Sequence, residues 1–192
     1  VLIGLLWRTV RYALPFPLWG DEAFVAVTLL ERSLPGLSHP PEFYQIVPPG
    51  FLWSEWLIVH GLGSGEWALR LFPFLSGVAS LLLFWHFCRN TTTHRTTLLA
   101  VAILAASFYP IRHAAEVKPY ATDLLVSLVI TAMGWAVYRR IDSLFRWSAL
   151  IAAATAGVWC SYPAVFPAGA VAIGLGIRAI GKPSGRATAA WA

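Results

Sequence analysis

The sequence predicts an all-α protein: a polytopic transmembrane helical bundle with a long outer loop carrying interfacial amphipathic helices. Three observations lead there. Of 192 residues, 58% are hydrophobic and 12% charged, whereas a soluble domain carries about 25% charge. Apolar runs near the ~20 residues needed to cross a hydrocarbon core recur along the chain. Prolines and acids crowd instead into residues 12 to 66, which excludes one continuous lipid-facing helix there.

Taken in order, Val1 to Leu6 are apolar but too short to span, with Arg8 and Arg11 close behind. They read as the end of a first helix (residues 1–14) that starts earlier, without a basic n-region or cleavable signal, and the chain is expected to be an N-terminal fragment. The outer loop follows at 15–66. Within it, Glu22 to Leu34 places Phe24, Val27 and Leu30 at helical spacing with a polar side, as in a helix lying in the interface. A second such helix is expected from Pro49 to His60, because proline suits a first helical turn and Phe51, Trp53, Trp56 and Leu57 form an apolar face. Membrane helices are expected at 67–88, 97–111, 121–138, 147–162 and 163–179, all within one domain. The last two form either a hairpin turned at Ser161-Tyr162-Pro163 or one long kinked helix.

Charge placement orients the bundle. The loops at 89–95, 139–146 and 178–186 hold Arg89, Arg95, Arg139, Arg140, Arg146, Arg178, Lys182 and Arg186, 8 of the 14 basic residues, against the single acid Asp142. By the positive-inside rule these loops face the cytoplasm. The other side receives Asp21, Glu22, Glu31, Glu42, Glu55, Glu66 and Glu116, 7 of the 9 acids. A net charge of +5 is thereby a matter of topology; the basic residues form no patch with interleaved aromatics, so nucleic acid is not an expected partner. Cys88 and Cys160 have neither metal-ligand nor disulfide-framework spacing and read as inert.

Four polar clusters fall on the acidic side. Trp19-Gly20-Asp21-Glu22-Ala23 suits a helix start, where an acid complements the dipole, and equally offers a partly desolvated carboxylate as general base. Gln45 precedes Pro48-Pro49-Gly50, a turn feeding a helix, and is able to hydrogen-bond a sugar or acceptor. In Gly65-Glu66-Trp67-Ala68-Leu69-Arg70, the arginine either snorkels to the interface or grips a carboxylate or phosphate. Arg112-His113-Ala114-Ala115-Glu116-Val117-Lys118-Pro119-Tyr120, followed by Asp123, gathers ionisable groups between apolar spans, an expensive arrangement unless they pair or function. No second histidine stands at ligand spacing from His113, so no metal site is expected.

In this order the clusters resemble the GT-C membrane glycosyltransferases of the protein O-mannosyltransferase and aminoarabinose transferase type, especially their bacterial relatives. The resemblance runs from Trp19 to Tyr120 and loosely to Tyr162. It implies sugar transfer from a polyprenyl-phosphate carrier to a lipid, glycan or protein acceptor on the outer face of a bacterial inner membrane, usually with inversion. It also implies Asp21 as base with Glu22 beside it, Arg70 as the arginine opening the second helix, and Glu116, Lys118 and Tyr120 near the carrier phosphate. Arg112 supplies another cation. Such chemistry requires a base and cations rather than a nucleotide loop; no cofactor is required, and a divalent metal touching Glu116 is optional. A transporter or flippase-like protein for a polar or lipid-linked substrate is the main alternative, and it would set its binding groups near the midplane on broken helices. A noncatalytic membrane scaffold is the third.

Overall fold

The computed structural model describes residues 1–14, 16–41 and 43–181. Pro15, Glu42, Lys182 and Arg186, which entered the charge and loop assignments, lie outside the described residues. Helices α1 (Leu2–Ala13), α2 (Gly20–Glu31), α3 (Pro49–Leu62), α4 (Glu66–Leu69), α5 (Leu71–Thr91), α6 (His94–Ala106), α7 (Phe108–His113), α8 (Tyr120–Arg139), α9 (Leu144–Cys160) and α10 (Val165–Gly181) follow one another, with 3-10 turns at Pro35–Ser38 and Tyr162–Ala164. Among the described residues there is no strand.

Three helical segments, Leu71–Thr91, Tyr120–Arg139 and Tyr162–Ile180, are long and apolar enough to cross a membrane, and α6 and α9 are shorter apolar helices. Helix α8 packs against α5, α9 and α10, while α5 also packs against α1 and α6. Ile130, Val137, Trp147, Leu150 and Leu175 fill the first group of contacts, and Leu81, Val101 and Ala105 fill the second. Large apolar side chains such as Leu99, Ile103, Phe166 and Ile177 point outward and exposed. A helix apolar on both its packed and its free sides is the pattern expected when lipid is the surrounding medium.

Two boundaries differ from the expected spans. Arg70 lies in the break between α4 and α5, so it precedes the first long span instead of sitting a turn inside it. The 97–111 segment is broken at Ser107, whose backbone is extended. Pro110, which follows, has no N–H to offer the Ala106 carbonyl, and its ring would collide with a continuous helix. The last apolar pair is a hairpin: Ser161 is extended, with φ −157° and ψ 110°, and α9 and α10 both return along α8.

The segment between α1 and α5 forms a cap with its own core of Val25, Leu29, Leu37, Phe51, Leu52, Val59 and Leu69, reaching Val117 of the bundle. Helices stand near the two interfacial ones expected, at Gly20–Glu31 where 22–34 was expected and at Pro49–Leu62 where 49–60 was expected. Gly50 seats the cap, because a Cβ there would lie 2.7 Å from the Trp159 carbonyl oxygen and 2.8 Å from Cys160 Sγ. Only a residue without a side chain lets the start of α3 meet the end of α9 this closely.

Arg8 was expected near the end of the first helix and is instead wholly buried. Its guanidinium donates to the carbonyls of Gly4 at 3.0 Å and Leu104 at 3.4 Å. Five N–H donors allow an arginine to be buried on main-chain carbonyls where no carboxylate is present.

Candidate active site

The segment between α7 and α8 builds the site. Its backbone turns through Ala115 N–H to Arg112 O at 3.0 Å and Lys118 N–H to Glu116 O at 2.8 Å, and Asp123 N–H closes the first turn of α8 on Pro119 O at 2.7 Å. Ala114 through Lys118 are buried. The loop is held from beneath by α5, where a Cβ on Gly77 would come within 2.5 Å of Ala114 Cβ. From above it is held by α2: Glu22, itself buried, accepts the Val117 N–H on one oxygen at 2.8 Å and the Trp19 N–H on the other at 3.0 Å.

These contacts leave a hollow of about 310 Å³ lined by Trp19, Asp21, Glu22, Arg112, His113, Glu116, Lys118 and Tyr120. It lies at the end of α8 from which Tyr120 starts that helix, at the mouth of the span and away from its middle. Inside it, Lys118 Nζ stands 3.2 Å from Asp21 Oδ2 and donates to Gln45 Oε1 at 2.5 Å. Asp21 is at the rim, its side chain 56% exposed, while Lys118 is 9% exposed. Glu116 accepts from Arg112 Nε at 2.5 Å and pairs with His113 Nδ1 at 2.6 Å. Burial favours the neutral form of Glu116, but the hydrogen bonds and charges of His113 and Arg112 outweigh it and hold the carboxyl below its ordinary range. An ionised Glu116 accepts only, so Nδ1 carries the proton of that bond. The Arg112 guanidinium also lies over the Trp19 ring, 5.6 Å from its centroid, and the His113 and Tyr120 rings are 4.5 Å apart.

Of the sequence-derived candidates, Asp21, Glu22, Arg112, Glu116, Lys118 and Tyr120 share this hollow. Gln45 stands behind it, touching Lys118. Arg70 does not line it: almost fully buried, it donates to the Phe16 carbonyl at 2.7 Å and stands 3.6 Å from Glu66, tying the cap entrance to the head of α5. Trp19 and His113 were quoted within their motifs but not singled out as site residues. Glu116, the partner of His113, lies beyond the end of α7, in the turns that lead to α8. A further feature had no signal in the sequence: Phe43 and Tyr44 adopt left-handed backbone angles, φ 57° and 56°. For residues other than glycine this costs about 1–3 kcal/mol each, and the turn it makes delivers Gln45 to Lys118.

The arrangement offers an exposed carboxylate, an ammonium and a guanidinium within one polar mouth, beside an aromatic rim. Among the described residues, no group of three or more histidine, cysteine, aspartate or glutamate side chains is placed to hold a metal. Each Glu116 oxygen has one of these partners, Arg112 on one side and His113 on the other.

Fold and site together define a helical membrane protein with acids and cations gathered at one mouth of its bundle. The family model of dolichyl-phosphate-mannose-protein mannosyltransferases matches residues 46–188. The chain belongs to that family and, with it, to the GT-C membrane glycosyltransferases. No curated protein and no solved structure matches it. The matched stretch contains Arg70, Arg112, Glu116, Lys118 and Tyr120, while Asp21, Glu22 and Gln45 precede it.

Proposed function

We propose that the protein moves a sugar, a hexose or pentose, from a polyprenyl-phosphate carrier to a hydroxyl-bearing lipid, glycan or protein acceptor, in the manner of the O-mannosyltransferase and aminoarabinose transferase branches. The reading is supported chiefly by the Asp21–Lys118 pair at the mouth of the hollow, 3.2 Å apart. Asp21 takes the proton of the acceptor hydroxyl, the hydroxyl oxygen attacks the anomeric carbon, and the bond from that carbon to the phosphate oxygen breaks with its electrons passing to the phosphate. Inversion follows from attack opposite the leaving group. Lys118 and Arg112 neutralise the departing polyprenyl phosphate, and Tyr120 lines the same wall. Gln45 aims Lys118, Glu116 aims Arg112, Glu22 locks the two walls together, and Arg70 anchors the cap entrance at Phe16.

The reaction as written uses no resident cofactor, and no step passes through a metal. With Arg89, Arg139, Arg140, Arg146 and Arg178 at the opposite end of the spans, the positive-inside rule puts the hollow on the outer side, periplasmic in a bacterial inner membrane. A transporter would set its groups at the middle of broken spans, which the mouth position of Lys118 and Tyr120 does not match. The test is sugar transfer from a polyprenyl-phosphate sugar by the full-length protein. Asp21→Asn is expected to lower turnover by about 10²–10⁴-fold with an unchanged melting temperature, since Asp21 is at the rim. Wild-type turnover in that variant would remove Asp21 as base.

A further inference from the structure

A second polar hollow, of about 460 Å³, opens at the other end of the bundle among the termini of α5 and α8 and the start of α9. Its mouth carries Arg139, Arg140, Arg146 and His86, and Leu83, Phe87, Ala132 and Ala136 form its apolar wall, with Trp135 alongside. From Ala132 to Arg139 that wall runs about 10 Å along α8. Arg146, which lines the hollow, is pinned by donating to the Ala136 carbonyl at 2.6 Å. Asn90 and Thr91 satisfy carbonyls of their own helix, those of His86 and Phe87, both at 2.7 Å. The last turn of α5 is thereby closed, and Arg139, Arg140 and Arg146 line the hollow beside it.

Topology alone accounts for arginines after a span, and the carbonyl ends of α5 and α8 attract them. Neither accounts for three guanidinium groups around one concavity that Leu83, Phe87 and Ala132 also line. Such a shape suits an amphiphile with an anionic head and a hydrocarbon tail. The depth also agrees, because Trp135 stacks on Tyr138 at 5.5 Å and Arg178 covers the Tyr138 ring at 4.1 Å, a grouping typical of the headgroup level.

We propose that this hollow binds the phosphate of an anionic phospholipid from the leaflet at the basic end, with Arg139, Arg140 and Arg146 around the headgroup and an acyl chain along Leu83, Phe87 and Ala132. The site is separate from the sugar-transfer hollow and does not depend on that assignment.

Native mass spectrometry of the full-length protein, with phosphatidylglycerol and phosphatidylcholine in competition, reads the proposal. Preferential retention of phosphatidylglycerol is expected, falling roughly tenfold or more in the Arg139→Gln/Arg140→Gln double variant. Arg95→Gln, a basic residue of a neighbouring turn that does not line the hollow, is expected to leave retention unchanged. Ala132→Phe, which fills the wall and keeps every charge, should also reduce lipid retention, and it serves if the double variant fails to fold. Equal retention in the double and Ala132→Phe variants, or equal losses in Arg95→Gln, would overturn the site. A titration with inorganic phosphate separates the sources: millimolar phosphate that stabilises the protein without any phosphatidylglycerol preference would assign the hollow to a free anion and overturn the lipid.

Discussion

Val117 donates its backbone N–H to Glu22 Oε1 at 2.8 Å across 95 positions of chain, while Glu22 Oε2 takes the Trp19 N–H. One buried carboxylate therefore joins the cap to the loop that carries Lys118. An amide keeps a single acceptor oxygen, so Glu22→Gln leaves one of these N–H groups facing a donor. The expected outcome is a destabilisation of about 1–3 kcal/mol, seen as a lower melting temperature, together with reduced sugar transfer. Asp21→Asn should separate the two readouts by losing transfer alone.

Glu116 makes a pH prediction of definite sign. Its carboxyl titrates below the ordinary range in the folded protein, with burial opposing and the His113 and Arg112 contacts prevailing. A depressed acid contributes stability that is fully present above the unfolded value of about 4.3 and is lost as pH falls through the folded value. Thermal melts across the acid range should therefore show wild type more stable than Glu116→Gln at neutral pH, with the gap closing as the solution is acidified. A gap independent of pH would contradict the ion-pair account.

The opposite sign is expected at Glu55 on α3. This carboxyl is fully buried in the cap and neither oxygen has a hydrogen-bond partner among the described residues; burial raises its proton affinity well above the usual value. As pH rises past about 4.3 the unfolded chain ionises while the folded chain does not, so this residue's contribution weakens upward from there until its folded value is passed. Glu55→Leu should stabilise the protein at neutral pH, on the order of 1–3 kcal/mol for removing an unpaired buried polar group, with a smaller gain near pH 4. A melting temperature that falls at neutral pH would show that the acid has a role beyond packing.

At Gly77 the prediction concerns distance. The added methyl of Gly77→Ala would meet Ala114 Cβ at 2.5 Å, forcing α5 and the site loop apart at a cost of about 1–3 kcal/mol. Sugar transfer is expected to drop although Gly77 does not line the hollow, and trimming the partner with Ala114→Gly in the same chain should restore part of it.

Much of this was legible beforehand. Apolar length marks the spans, expected at 67–88, 121–138 and 163–179 and found at Leu71–Thr91, Tyr120–Arg139 and Tyr162–Ile180, and prolines mark the cap. The crowd of ionisable groups from Arg112 to Lys118 between two apolar spans marks a segment that must pair or function, without saying which groups pair. Direction was not legible. The family resemblance implies Arg70 as a cation for the site, but whether a guanidinium turns toward a hollow or toward the Phe16 carbonyl depends on where the cap chain enters, which no local pattern encodes. Arg8 was hidden for a similar reason: its partners are main-chain carbonyls at Gly4 and Leu104, and every residue has a carbonyl. Nor does residue type separate the neighbours Asp21 and Glu22. One is at the rim and the other is buried because successive helical positions point about 100° apart.

Lys118 meets Gln45 across 73 positions of chain, and that span has a consequence for biosynthesis. At about 5–20 residues per second, the ribosome supplies the lysine roughly 4 to 15 s after the glutamine. During that interval α5 and α6 are made and the cap's polar groups have no ammonium to meet. A nascent chain stalled at the end of α6 would thus carry Asp21, Glu22 and Gln45 with Arg112 and Lys118 not yet synthesised.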